Sequence, residues 1–201
     1  MIFSPLSQLV IAEYGWDSAL FFLAASVLVI VPLAFVLPGN APVSGETRIE
    51  QRLGDAILEA IRHRGYVLLT MGFFVCGFHV AFITVHFPAY VRDLGLAPQV
   101  GAYAIAIIGL CNIVGSFLSG LAGQRWPKKN GLVVIYSLRA VAIAALLLAD
   151  KTASAIYLFA AVMGFLWLST VPLTSGIVAQ VFGLRFMATL FGIVFLSHQL
   201  G

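Results

Sequence analysis

Apolar and polar residues alternate along this chain in long blocks, with six apolar stretches filling most of it and nearly every charge lying between them. Five of the stretches hold about 19 to 23 residues, and a helix of that length crosses a hydrocarbon core of about 30 Å. Because a backbone inside lipid must satisfy its own hydrogen bonds, the pattern predicts helices and not strands. The stretches are Ser18–Leu37, Tyr66–Phe87, Val100–Ala122, Gly131–Ala149, Ser154–Gly176 and Met187–Gly201. The sequence therefore predicts an all-α, polytopic membrane bundle that lies in the bilayer.

Charge is scarce, and its placement orients the predicted bundle. Charged residues make up 9% of the chain and hydrophobic residues 61%, whereas a soluble domain carries about 25% charge. The second and fourth loops hold only Arg92 and Lys151 as basic residues. The other loops hold Arg48, Arg52, Arg62, Arg64, Arg125, Lys128, Lys129 and Arg185. By the positive-inside rule the odd loops are cytoplasmic, which explains the net charge of +3 without a nucleic-acid partner.

Three predicted segments follow from this pattern. Residues 1–37 hold the end of an earlier membrane helix, an external turn at Tyr14–Asp17 and the first full span. Residues 38–65 form a cytoplasmic linker, and residues 66–201 form a C-terminal bundle that we expect to be truncated within its last helix. No basic region precedes an apolar one at the start, so we predict no cleavable signal peptide.

The linker carries the signature of a surface helix. Prolines at positions 38 and 42 stop the first span, and Thr47 to Glu50 has capping-box spacing. An apolar stripe at four-residue steps follows, formed by Ile49, Leu53, Ile57 and Ile61. We interpret it as a helix that lies along the membrane or joins two bundles, with a specific partner site as the alternative.

Small residues predict where helices approach closely or bend. Gly115, Ser119 and Gly123 recur at four-residue spacing in the third span, a pattern that lets membrane helices pack tightly. Pro172, with Gly164 and Gly176, permits a bend in the fifth span.

The segment Gly120–Lys129 (GLAGQRWPKK) carries a resemblance to a known family. It resembles the cytoplasmic-loop signature of the major facilitator superfamily, G-x-x-x-D-R-x-G-R-R/K. The resemblance assigns a conformational role to Gly120, Arg125, Lys128 and Lys129. Gln124 stands in place of the family's Asp and Pro127 in place of its second Gly, as in the weaker copy of the motif between the family's eighth and ninth helices.

That alignment makes the six spans similar to helices six to eleven of twelve. It implies a secondary transporter that works by alternating access, with the missing N-terminal half as its partner and a multi-pass location in a bacterial inner membrane. The segments Phe78–Phe82, Trp167–Pro172 and Ser197–Gly201 resemble bacterial monocarboxylate and oxalate/formate porters. The alternative is a truncated, non-transporting membrane fragment or a helical interaction subunit.

Four long polar side chains lie near the centres of spans: His79, Asn112, Arg139 and His198. The resemblance places the solute site at that depth. Trp167, also in mid-span, is predicted to form a wall of that cavity, with packing in the bundle as the alternative. Arg139 keeps its charge and needs a carboxylate, backbone carbonyls or an anionic solute as acceptor. Since the spans hold no Asp or Glu, we predict an organic anion such as a monocarboxylate, with structural pairing of Arg139 as the alternative.

The histidines and cysteines are the other residues of the spans that could carry chemistry. His79 shares a helix face with His86 and is predicted either to line the cavity and carry a coupling proton or to be packed in the bundle. The spacing does not suit a metal, and Cys76 and Cys111 suit packing. With no acidic pair and no HExxH motif in the spans, we predict no enzyme and no cofactor.

Overall fold

The structure is a computed structural model that describes residues 3–28 and 52–201. Every element in these ranges is a helix, which confirms the predicted all-α class. The helices are α1 (Phe3–Leu28), α2 (Leu53–Arg62), α3 (Arg64–Asp93), α4 (Pro98–Arg125), α5 (Lys128–Leu148), α6 (Ala153–Leu166), α7 (Thr170–Phe182) and α8 (Met187–Leu200). The chain divides into two compact units, Met1–Glu50 and Gln51–Gly201.

The first unit contains α1, which is broken at Gly15. This residue has φ 80° and ψ 176°, a backbone conformation that a Cβ disfavours and glycine adopts freely. The break lies inside the turn predicted at Tyr14–Asp17. The rest of the first predicted span, the prolines at 38 and 42 and the predicted capping box lie outside the described residues.

The surface helix α2 opens the second unit, and it buries its alanines more deeply than its apolar stripe, of which Ile57 is half-buried. Leu53 and Ile61 are 46% and 56% exposed, whereas Ala56 and Ala60 are buried. Ala60 packs in one cluster with Tyr66 of α3. The small alanine face therefore lets α2 approach the bundle, while Leu53 and Ile61 stay available to a lipid surface.

Four segments among the described residues are long and apolar enough to cross a membrane. They are Arg64–Asp93, Pro98–Arg125, Lys128–Leu148 and Ala153–Phe182. In the last segment, 56% of the most apolar window is buried, against 17% to 22% in the other three. The α6–α7 segment is therefore the central helix of the unit, and the others turn apolar side chains outward, as lipid contact requires. The sixth predicted stretch is the shorter helix α8.

Two parallel helix pairs, α3 with α8 and α4 with α6, pack backbone against backbone. A Cβ at Gly77 would overlap the carbonyl group of His198, and one at Gly201 would overlap that of Phe74. In the other pair, Gly115 lies against the carbonyl of Phe165 and Gly164 against that of Ile108. Since the closeness needs glycine at each contact, these pairs fix the register of the helices.

Two apolar clusters occupy opposite ends of the bundle. One joins Ile83 and Phe87 of α3 to Ile108 of α4 and Phe159 of α6. The other joins Tyr66 and Phe73 of α3 to helices α7 and α8 through Val178, Leu190 and Val194. On α3, which contributes to both clusters, the predicted mid-span residue His79 lies between them along the helix.

Candidate functional site

The central segment is interrupted between α6 and α7, at Trp167, Leu168 and Ser169. Pro172 explains the break, because a proline has no N–H and its ring collides with the carbonyl four residues earlier, here that of Leu168. That carbonyl instead accepts from the N–H of Val171 at 3.0 Å, and the N–H of Trp167 bonds the carbonyl of Gly164 at 3.1 Å. Both bonds span three residues instead of four. The change removes the usual helical partners of the Leu168 N–H and the Trp167 carbonyl.

Arg139 of α5 supplies partners for the carbonyls at the break. The residue is 1% exposed, and its Nη2 donates to the carbonyl of Leu166 at 2.6 Å and to that of Trp167. Its Nη1 donates to Cys76 Sγ at 3.1 Å. The carbonyl end of a helix carries partial negative charge, so the end of α6 stabilises the cation. Of the three acceptors that the sequence allowed, the structure shows backbone carbonyls.

Asn112 of α4 supplies the partner for the N–H group at the break. Its Oδ1 accepts from the N–H of Leu168 at 3.0 Å and from Ser116 Oγ at 3.3 Å. Two turns after Asn112 on α4, Ser119 donates to the carbonyl of Ser169. Two of the four predicted mid-span residues, Asn112 and Arg139, thus meet at one helix break. We call Arg139, Asn112 and Ser119 the break clamp.

Cys76 is a member of this site that the sequence did not reveal. It is fully buried and receives the bond from Arg139, and its Sγ lies 3.7 Å from Thr170 Oγ1 at the start of α7. The only available signal was its place one helical turn before His79, which puts both on one side of α3. Sequence reasoning assigned it to packing.

His198 lies in the same bundle without any hydrogen bond to its ring. It is 9% exposed, and neither Nδ1 nor Nε2 has a partner among the described residues. Its ring stacks on Phe195, with centroids 5.5 Å apart and planes 3° apart, and Phe73 lies at 5.1 Å. The imidazole is therefore held by aromatic contacts while both of its polar atoms remain unused.

His79 shares this property in part. It is half-buried, and its Nδ1 has no partner within the described ranges. The charge of Arg139 acts on both His79 and His198, so three of the four predicted mid-span residues lie near one another. His86, two turns away, is exposed and lies beside Phe82 at 5.0 Å. We call His79 and His198 the unbonded histidines.

Trp167 is 4% exposed and packs in the apolar cluster of α3, α4 and α6. Its backbone carbonyl forms part of the break, while its indole belongs to the core. Its assignment as a cavity wall, like the other solute contacts, stays a prediction.

The loop motif, Gly120–Lys129, joins the end of α4 to the start of α5, on the side predicted to be cytoplasmic. It also contacts α7. Lys128 lies across Gly176, with its Cε 2.7 Å from where a Cβ would stand. Gly120 lies beside Pro172, whose Cβ would be 3.9 Å from an added methyl group, while Arg125 and Lys129 are exposed. The motif therefore contacts the half of the central helix that follows the break.

Two apolar grooves of about 640 and 530 Å³ lie on the described unit, between α3, α5 and α7 and between α4, α5 and the central helix. Neither is lined by Arg139 or an unbonded histidine. In the described ranges, no group of three or more His, Cys, Asp or Glu side chains is arranged to hold a metal ion. These two grooves are therefore separate from the polar residues at the break.

Comparison with known proteins places these features in a family. The model of the Major Facilitator Superfamily matches residues 1–201. The chain is similar to monocarboxylate transporter 13 of Bos taurus, with 28% identity over 62% of this chain and 29% of the relative. It is also similar to the MFS transporter asaE of Aspergillus flavus, with 22% identity over 100% of this chain and 45% of that protein. The chain thus spans less than half the length of these curated relatives.

Proposed function

This chain belongs to the Major Facilitator Superfamily, and we propose on that premise that its protein is a secondary active transporter of a small organic anion. Transport by alternating access, with two halves rocking about a site near the bilayer midplane, is how such transporters work. The observation that carries the proposal is a buried permanent cation, Arg139, near two histidines. Among the described residues, the ring of His198 has no hydrogen-bond partner and Nδ1 of His79 has none.

The sign of the solute's charge follows from the charge of this centre. Arg139 makes no contact with a carboxylate among the described residues, and carbonyl dipoles offset only part of a full positive charge. A charge at the centre of a membrane helix costs about 2.5–3.5 kcal/mol on insertion scales. An anion entering the centre would lower that cost, so the field of Arg139 favours an anionic solute over a cationic one.

The unbonded histidines are the groups best able to contact the solute directly. A buried polar group without a hydrogen bond costs about 1–3 kcal/mol, and an arriving carboxylate could accept from His198 and His79 and relieve that cost. Phe73 and Phe195, which flank His198, suit the apolar body of a small acid. In this proposal Arg139 contributes its charge, and Asn112 and Trp167 shape the site.

The similarity to a protein named a monocarboxylate transporter supports the same solute class. We place the α4–α5 loop in the cytoplasm, because the basic residues Arg125, Lys128 and Lys129 lie there. A bacterial inner membrane is the location that the sequence resemblance favours. The family match favours a transporter over an enzyme.

Uptake into proteoliposomes tests the proposal. The protein expressed from its complete gene is reconstituted and given radiolabelled lactate, oxalate or glucose, with and without an inward proton gradient. We expect uptake of at least one acid above protein-free vesicles and no uptake of glucose. Uptake of glucose alone would contradict the anionic solute. No uptake of any solute, by protein shown to be folded, would favour a non-transporting helical subunit.

A further inference from the structure

We propose that Arg139 and Asn112 are positioning residues, which hold the central helix broken at Trp167–Ser169 and do not grip the solute. The proposal rests on the transport function proposed above, because its consequence is a change in the transport cycle. It goes further by giving two of the predicted solute contacts a different task.

The first support is the hydrogen bonding of the backbone groups at the break. The carbonyls of Leu166 and Trp167 accept from Arg139, and the N–H of Leu168 donates to Asn112. Inside a membrane, an unpaired backbone group costs several kcal/mol. The break is therefore stable only while α4 and α5 provide these side chains from opposite sides.

The second support is that Arg139 has few free donors. Both of its terminal nitrogens are engaged, with carbonyls and with Cys76 Sγ, and only Nε lacks a partner among the described residues. A two-point grip on a carboxylate needs two parallel N–H donors. The guanidinium would have to abandon the break in order to make one.

The third support is the backbone packing around the break. Gly115, which lies between Asn112 and Ser119 on α4, packs against the carbonyl of Phe165. This contact holds α4 in the register that brings both side chains to the break. The guanidinium of Arg139 on α5 and the amide of Asn112 on α4 then reach the backbone groups at the break without a shift of either helix.

Transport kinetics separate positioning from solute contact. A lysine at position 139 keeps the charge but cannot bond three acceptors in one plane, and a leucine at position 112 leaves the Leu168 N–H unpaired. For Arg139→Lys and Asn112→Leu we expect the maximal rate of lactate uptake to fall about tenfold or more, with the KM changed less than about twofold. The control is Lys151→Met, which removes a cation that bonds the carbonyls of Leu146 and Leu147 away from the break and should change neither constant. A raised KM with an unchanged maximal rate for Arg139→Lys would overturn the proposal.

A second readout does not depend on transport. Cys76 is buried in contact with Arg139 and Thr170, so separation of these residues from α3 should expose its thiol. We expect N-ethylmaleimide to modify Cys76 about fivefold faster or more in Arg139→Lys and Asn112→Leu than in the parent. Mass spectrometry of the peptides gives the rate at Cys111 as an internal reference, which should stay constant, and Lys151→Met should leave both rates unchanged.

The outcomes at Cys76 are distinct from those of the uptake assay. Unchanged modification of Cys76 in both variants would overturn the clamp even if uptake were lost. Faster modification in protein that transports no acid would uphold the clamp while contradicting the transport proposal. Should either variant fail to fold, Ser119→Ala removes a single bond to Ser169 and should still raise the rate at Cys76. An unchanged rate in folded Ser119→Ala would then count against the proposal.

Discussion

The break clamp and the unbonded histidines lie in one bundle but differ in whether their polar side-chain atoms are hydrogen-bonded. Arg139 and Asn112 together make five hydrogen bonds, and four of these go to residues outside their own helices. In contrast, His198 makes none through its ring and His79 leaves Nδ1 unused, within the part of the chain that the structure describes. Burial is similar, but bonded groups stabilise the fold, whereas unbonded groups cost free energy unless a ligand meets them. The contrast separates the residues that build the site from those that receive the solute.

The largest expected effect is the loss of the clamp. Arg139→Leu leaves the carbonyls of Leu166 and Trp167 unpaired, and we expect the free energy of unfolding to fall by about 2–5 kcal/mol. Thermal unfolding in detergent, followed by circular dichroism, measures the change. Lys151→Met, which removes a helix-capping cation at the surface, should cost less than about 1 kcal/mol. Equal losses of stability in the two variants would show that the hydrogen bonds at the break stabilise the fold no more than those of Lys151.

The backbone contacts that set the register come next. Gly77→Ala places a methyl group onto the carbonyl of His198, so α3 and α8 must separate, and we expect a loss of about 1–3 kcal/mol. Gly192→Ala is the matched control, because nothing lies within 4 Å of its added Cβ. Alanine there should stabilise α8 by about 0.5–1 kcal/mol. The same unfolding assay compares them, and a neutral Gly77→Ala would show that the helices are not held this closely.

The unbonded histidines should show the reverse pattern, with function lost and stability kept. His198→Leu removes two buried polar atoms that have no partner in the described ranges. We expect the free energy of unfolding to change by less than about 1 kcal/mol, while the KM for lactate rises about tenfold. Uptake kinetics and unfolding are measured on the same preparation. A strongly destabilised His198→Leu with normal KM would assign this histidine to the fold.

The smallest effect concerns proton coupling at His79. Histidine changes charge near physiological pH, so we expect His79→Gln to flatten the dependence of lactate uptake on external pH between about 5.5 and 7.5 while leaving stability unchanged. The control is His86→Gln on the same helix, since His86 is exposed and should keep the parent profile. If both variants retain that profile, His79 has no part in proton coupling.

The helical architecture was predictable from the sequence because it depends on properties that lie along the chain. Stretch length and hydropathy located the spans, and Pro172 predicted a bend where α6 ends and α7 begins. The sequence also singles out the four mid-span residues, since a long polar side chain in lipid needs a partner whatever the fold, and their contact with a solute stays a prediction.

The partners of those residues were not predictable, because they depend on the register between helices. Arg139 and its acceptors Leu166 and Trp167 lie on different helices, and which carbonyls are free depends on the break. That register is set by close backbone contacts such as Gly115 on Phe165, which composition and periodicity do not encode. For the same reason the buried residues of α2 are its alanines, while of the apolar stripe only Ile57 packs, half-buried, against the bundle.

The central claim is that the clamp builds the site and the unbonded histidines contact the solute. Initial-rate uptake of radiolabelled lactate by Arg139→Lys and His198→Leu, reconstituted side by side, tests it most directly. The account predicts a lower maximal rate with an unchanged KM for Arg139→Lys, and a raised KM for His198→Leu. A raised KM for Arg139→Lys together with an unchanged KM for His198→Leu would contradict it.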